Sequence, residues 1–181
     1  SSGPRTLPTG AVAFWARSAA TTSVTETSHS RSWSLRSSTD SARPRGFMDY
    51  ALFERIVDKL ARESPAATPE VWLFNWGEPL LHPEAPRFLR LLRERGLPAH
   101  LSTNLNVRHG LDEVVAADPA SLKVSISGYS AATYADTHRR GDLELVVANL
   151  RALRAALDRH RVATRIWVGQ HVYRGNQHEV E

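Results

Sequence analysis

The strongest constraint on the fold of this chain is a regular alternation of helical and strand-like segments that begins at Tyr50. Apolar residues at helical spacing are followed by short apolar runs, with brief polar loops between them. Strands that alternate with helices favour a parallel sheet with right-handed crossovers. The sequence therefore predicts an α/β fold, with helices Tyr50–Glu63, Glu84–Glu94, Val107–Ala117 and 143–157 and strands Val71–Phe74, His100–Ser102, Leu122–Ile126 and Ala163–Val172.

Residues 1–45 differ in composition from the rest of the chain. Ser, Thr and Arg dominate, and neither a helical nor a strand period holds over a useful window. Such a stretch has too little apolar surface to offset its ordering entropy, so it is expected to be a disordered tail that contributes no strand. An alternative is that residues 1–45 are out-of-frame translation joined to an in-frame domain, residues 46–181.

The charge of the chain is concentrated in this tail. Six arginines against Glu26 and Asp40 account for the whole formal net charge of +4, so residues 46–181 are close to neutral. A neutral folded region argues against a specific nucleic-acid surface. The alternative is weak, salt-dependent binding of a nucleic acid by the basic residues 1–45. No apolar run approaches the length of a membrane-spanning helix, and we expect a cytoplasmic protein with no membrane partner.

Polar side chains gather where the predicted strands end. The first strand is followed by Asn75, Gly77 and Glu78, and later strand ends supply further hydroxyl, amide and imidazole groups: Ser102, Thr103, Asn104, Ser125, Ser127, Gln170 and His171. The carboxyl ends of parallel strands meet at one edge, where α/β proteins bind ligands. One carboxylate among hydroxyls and amides suits a small ligand that carries an amine and hydroxyls. The alternative is that these residues only form turns.

The ordered set of motifs resembles the radical S-adenosylmethionine enzymes over about residues 46–175. The resemblance rests on Gly77-Glu78-Pro79-Leu80-Leu81-His82-Pro83, Ser102-Thr103-Asn104, Val124-Ser125-Ile126-Ser127-Gly128, Tyr134 through Arg139-Arg140-Gly141-Asp142, and Asn149-Leu150. It implies a partial (β/α)6 barrel of the TIM type.

The resemblance also implies roles for individual residues in binding S-adenosylmethionine as cofactor. Gly77, Glu78 and Pro79 would line the methionine end, with Glu78 accepting hydrogen bonds from the ammonium group. Three residues would lie near the ribose or the methionine carboxylate: Asn104, Ser125 and Ser127. His138 or Arg139 would approach that carboxylate, and simple solvation is the alternative for Arg139. His82 is expected to pack in its loop.

The chain departs from the family in one decisive respect. The family holds a [4Fe–4S] cluster through three cysteines in a CxxxCxxC motif, which here should precede Tyr50, and the chain contains no cysteine. No metal ligands and no catalytic residues are therefore predicted. Two interpretations remain open: an incomplete radical enzyme core, truncated or inactive as given, or a cluster-less pseudoenzyme that binds a ligand or partner. The substrate, a small molecule or a peptide, is not indicated.

Overall fold

A computed structural model of the chain describes residues 12–13, 46–64, 69–74 and 77–180. In chain order the strands are β1 (Val12–Ala13), β2 (Val71–Trp72), β3 (Ala99–Thr103), β4 (Ser121–Ser125) and β5 (Arg165–Gly169). The helices are α1 (Tyr50–Glu63), α2 (Ala85–Glu94), α3 (Leu111–Ala116), α4 (Ala131–Thr137) and α5 (Leu143–His160), with 3₁₀ turns at Pro79–Leu81 and Gln177–Glu179.

The five strands form one sheet in the order β1-β2-β3-β4-β5, and every pair of neighbours is parallel. The prediction of an α/β fold with a parallel sheet is confirmed. The expectation that residues 1–45 supply no strand is wrong at Val12–Ala13, which pairs with β2. The remainder of the predicted disordered tail, residues 1–11 and 14–45, lies outside the described residues.

Helix boundaries follow local chemistry. The side chains of Asp49 and Asp142 cap α1 and α5 by accepting hydrogen bonds from the backbone amides of Leu52 and Leu145, the usual role of Asp at an N-cap. The helix expected at Val107–Ala117 begins later, at Leu111, because Gly110 adopts a positive φ of 81° at its N-cap.

The two faces of the sheet differ in chemistry because successive strand residues point to opposite sides. One face belongs to the hydrophobic core: Val71, Leu73, Leu101, Leu122 and Val124 are buried there together with helix residues such as Phe53, Phe88 and Leu92. The other face, here called the polar face, carries Trp72, Phe74, His100, Ser102, Ser121, Lys123, Ser125, Arg165 and Trp167.

A buried imidazole anchors the start of the polar face. The ring of His100 stacks on Trp72 at a centroid distance of 4.5 Å, and its Nδ1 lies 2.7 Å from the hydroxyl of Ser121. Burial lowers the pKa of His100, against the opposing effect of Glu70, whose carboxylate lies 3.7 Å from Nε2. No helix of the described residues is long and apolar enough to cross a membrane.

Candidate functional site

Glu78 joins two strand ends at the carboxyl edge of the sheet. Its Oε1 accepts a hydrogen bond from the backbone amide of Leu80 at 3.1 Å, which caps the 3₁₀ turn Pro79–Leu81. Its Oε2 accepts from the backbone amide of Asn104 at 2.8 Å, just beyond β3. Burial raises the pKa of Glu78 despite these hydrogen bonds, which lower it. The carboxylate is therefore part of the turn, and it is also held in a partly desolvated position.

The carboxylate of Glu78 lines an open cavity of about 280 Å³ at the strand ends. The cavity wall also includes the hydroxyl-bearing residues Ser102 and Ser125, whose Oγ atoms lie 3.4 Å apart. The full lining is Phe74, Gly77, Glu78, Ser102, Thr103, Asn104 and Ser125. Four predicted site residues therefore meet in one place: Gly77, Glu78, Asn104 and Ser125. Pro79 is buried at the start of the 3₁₀ turn, and Asn75 lies outside the described residues.

A network of amide side chains fixes the loop that follows β3. The side chain of Asn104 accepts from the backbone amide of Asn106 at 2.9 Å. Asn106 in turn donates to the Tyr134 hydroxyl at 2.6 Å and accepts from the backbone amide of Asp142 at 2.7 Å. These contacts tie β3 to α4 and α5. The role of Asn106 was missed from the sequence, although two asparagines spaced two apart after a strand are typical of a side-chain-stabilised turn.

The other residues predicted to contact the ligand, Ser127, His138 and Arg139, do not line this cavity. The His138 ring stacks on Tyr134 at 4.4 Å, and burial lowers the pKa of His138. Ser127 is buried, with its Oγ 3.5 Å from Nδ1 of His171. Arg139 is exposed. Their proposed contacts with a ligand stay predictions.

The segment after β5 is hydrogen-bonded to the strand ends next to these residues. Asn176 is buried and donates through Nδ2 to the backbone carbonyls of Ser127 and His171, both at 2.8 Å. Hydrogen bonds from the Ser130 hydroxyl and the backbone amide of Tyr129 hold the pKa of Glu179 at about 2. Nothing in the sequence indicated the roles of Asn176 and Glu179, since isolated polar residues carry no periodic signal.

The described residues contain no group of three His, Cys, Asp or Glu that could hold a metal ion. His82 packs in its loop as predicted. Its Nε2 lies 3.0 Å from the Met48 carbonyl, its Nδ1 accepts from the backbone amide of Glu84, and its ring lies 4.5 Å from that of Phe88. The lining of the cavity thus offers one carboxylate, three hydroxyls and an amide side chain, a set suited to a small polar ligand with a cationic group.

Comparison with known proteins returns solved structures only: no protein family and no curated sequence matches the chain. One neighbour is titled "Crystal structure of BtrN in complex with AdoMet and 2-DOIA", with 16% identity over 71% of this chain and 46% of that one, at a TM-score of 0.48. A second is the crystal structure of archaeal TYW1, with 19% identity over 72% and 46%, at 0.45.

A third neighbour is native anSMEcpe with bound AdoMet and the Kp18Cys peptide, with 15% identity over 67% and 35% of the chains, at a TM-score of 0.44. These neighbours are radical S-adenosylmethionine enzymes. The chain spans less than half the length of each of them. At these identities and TM-scores, no property of the neighbours is transferred to this chain.

Proposed function

We propose that this chain binds S-adenosylmethionine in the cavity at the carboxyl edge of its sheet. The observation that carries the proposal is the position of Glu78: two backbone amides hold its carboxylate at the joined ends of β2 and β3, beside the hydroxyls of Ser102 and Ser125. The resemblance of the motifs supports the choice of ligand. The proposal includes the partial (β/α)6 barrel that this resemblance implies and a cytoplasmic location.

Glu78 would recognise the ammonium group of the ligand. Each of its carboxylate oxygens accepts one backbone amide proton, and each oxygen retains a further lone pair. A hydrogen bond between a cation and a partly buried carboxylate is stronger than a neutral one. Asn104 and Ser125 offer an amide and a hydroxyl to the ribose or the carboxylate of the ligand. Gly77 is exposed at the cavity wall, where the absent side chain leaves room for the methionine.

A [4Fe–4S] cluster does not fit the residues of this chain. Such clusters are held by cysteine thiolates, and the 181 residues include none. We therefore derive no radical step, and the proposed function is ligand binding of the pseudoenzyme kind. When a cluster is present in the family, it supplies the electron that cleaves the sulfonium, a reaction of the cofactor rather than of the protein side chains.

One experiment tests both the proposed ligand and the expected lack of an iron–sulfur cluster. The full chain is incubated anaerobically with iron and sulfide, desalted, and titrated with S-adenosylmethionine by calorimetry. We expect no stoichiometric cluster absorbance and saturable binding of one ligand per chain. A stoichiometric cluster would favour the competing interpretation, a radical enzyme, and the absence of any binding would contradict the proposed ligand.

Binding should also weaken on acidification. Because burial raises the pKa of Glu78, its carboxylate gains a proton at a higher pH than an exposed glutamate does. Protonation removes the charge that attracts the ammonium group, so affinity should fall as the pH is lowered from about 7 towards 4.5, a range in which the ligand's own α-amino and α-carboxyl groups keep their charges.

Calorimetry across this pH range provides the measurement, with Glu78→Gln as the control. The variant retains any contribution from His138, whose pKa burial lowers, but cannot titrate at position 78. A wild-type profile that matches the profile of the variant would show that Glu78 does not control binding.

A further inference from the structure

Lys123 occupies the centre of the polar face. It lies in the middle of β4, opposite Ser102 of β3 on one side and Trp167 of β5 on the other. Its Nζ lies 5.0 Å from the centroid of the Trp167 ring. A Cβ added at Gly169 would lie 2.7 Å from Cε of Lys123. The lysine side chain therefore extends across β5, and the glycine at position 169 provides the space for it.

Within the described part of the chain, no carboxylate forms an ion pair with Lys123: no Asp or Glu oxygen there lies within 4.0 Å of its Nζ. The other charged residues near the polar face do not neutralise Lys123. Arg165 is also positive, and the carboxylate of Glu70 lies next to His100 instead. Lys123 is half-buried, and a partly desolvated charge is stabilised when an opposite charge meets it.

Lys123 adjoins the cavity of Glu78 along β4 without lining it. Ser125 lies two residues further along β4 on the same face, a distance of about 6.6 Å along a strand. Ser125 and Ser102 both line the cavity. Trp167 is 48% exposed; the Lys123 ammonium lies over its ring, and the exposed part of the ring is available for stacking. A single ammonium, an exposed indole and the Ser102 hydroxyl thus form one surface next to the proposed cofactor position.

The geometry points to a subsite on Lys123, Trp167 and Ser102 that binds a planar organic carboxylate. One ammonium matches one negative charge, the indole face accepts a flat ring by stacking, and the Ser102 hydroxyl completes the polar contacts. The biological role of this subsite rests on the proposed function, because the carboxylate would be the second ligand beside S-adenosylmethionine. The subsite itself can be tested without that cofactor.

The chain has only two lysines, Lys59 and Lys123, which makes a direct test feasible. Reductive methylation with ¹³C-formaldehyde keeps the charge and gives each lysine an NMR signal. Titration with indole-3-carboxylate should shift the Lys123 signal saturably and leave Lys59, which is exposed on α1 beside Glu63, unchanged. The neutral indole-3-carboxamide should bind about tenfold more weakly, the loss expected for one charge-assisted hydrogen bond.

Lys123→Met should abolish the preference for the carboxylate, measured by calorimetry, and Lys59→Met should preserve it. Equal affinity for the two probes, an unchanged preference in Lys123→Met, or equal shifts of both lysines would overturn the inference. Glu78→Gln separates the two proposals, because it should lower the affinity for S-adenosylmethionine and leave the affinity for indole-3-carboxylate unchanged. If the wild-type protein binds S-adenosylmethionine but does not discriminate between the two probes, the subsite alone is refuted.

Discussion

Replacing Gly128 by alanine should lower the free energy of unfolding by about 1–3 kcal/mol, the range for an extra methyl group in a packed region. A Cβ at position 128 would lie 2.6 Å from the backbone nitrogen of Tyr134 and 2.8 Å from the carbonyl carbon of Thr133. Both atoms belong to the backbone of α4, which cannot rotate away as a side chain would. Since Tyr134 also bonds Asn106, the strain should reach the loop after β3.

Gly46→Ala provides the matched control. A Cβ at position 46 meets nothing within 4 Å, and this substitution should leave stability unchanged or raise it slightly by restricting the unfolded chain. Urea denaturation of the two variants and the wild type gives the comparison. Equal stability of Gly128→Ala and Gly46→Ala would show that α4 does not pack against the end of β4 as closely as described.

The fold was predictable to the extent that it depends on periodic patterns. The amphipathic spacing of Phe53 and Val57 in α1, and the apolar run that begins at Val71, indicated helices and strands that alternate, and alternation implies a parallel sheet. The strand at Val12–Ala13 was not predictable, because two residues carry no period and their pairing depends on β2 being present.

The candidate site was predictable only in part, for a related reason. Parallel topology brings Glu78, Asn104 and Ser125 to the same edge without any knowledge of side-chain contacts. The bonds that fix them there depend on tertiary geometry: nothing in the sequence shows that Glu78 accepts from the amide of Asn104, or that Asn106 reaches Tyr134. The positions of His138 and Arg139 likewise depend on how α4 ends.

Glu78→Gln should weaken the binding of S-adenosylmethionine about 10- to 100-fold, because a hydrogen bond to a charged group contributes about 1.5–3 kcal/mol. Glutamine retains one acceptor oxygen for the amide of Asn104 or Leu80, so much of the turn should persist. It cannot supply the negative charge that the ammonium group requires. A thermal melt of the variant checks that the fold is retained.

The most direct test of the account compares two ligands on these two proteins. S-adenosylmethionine carries the ammonium group, whereas 5′-methylthioadenosine retains the adenosine and lacks the amino-acid part. Calorimetry should show that Glu78→Gln lowers the affinity for S-adenosylmethionine about 10- to 100-fold and leaves the affinity for 5′-methylthioadenosine unchanged. If the substitution weakens the binding of both ligands equally, or of neither, then Glu78 only stabilises the turn at Pro79–Leu81 and does not hold the methionine end of the ligand.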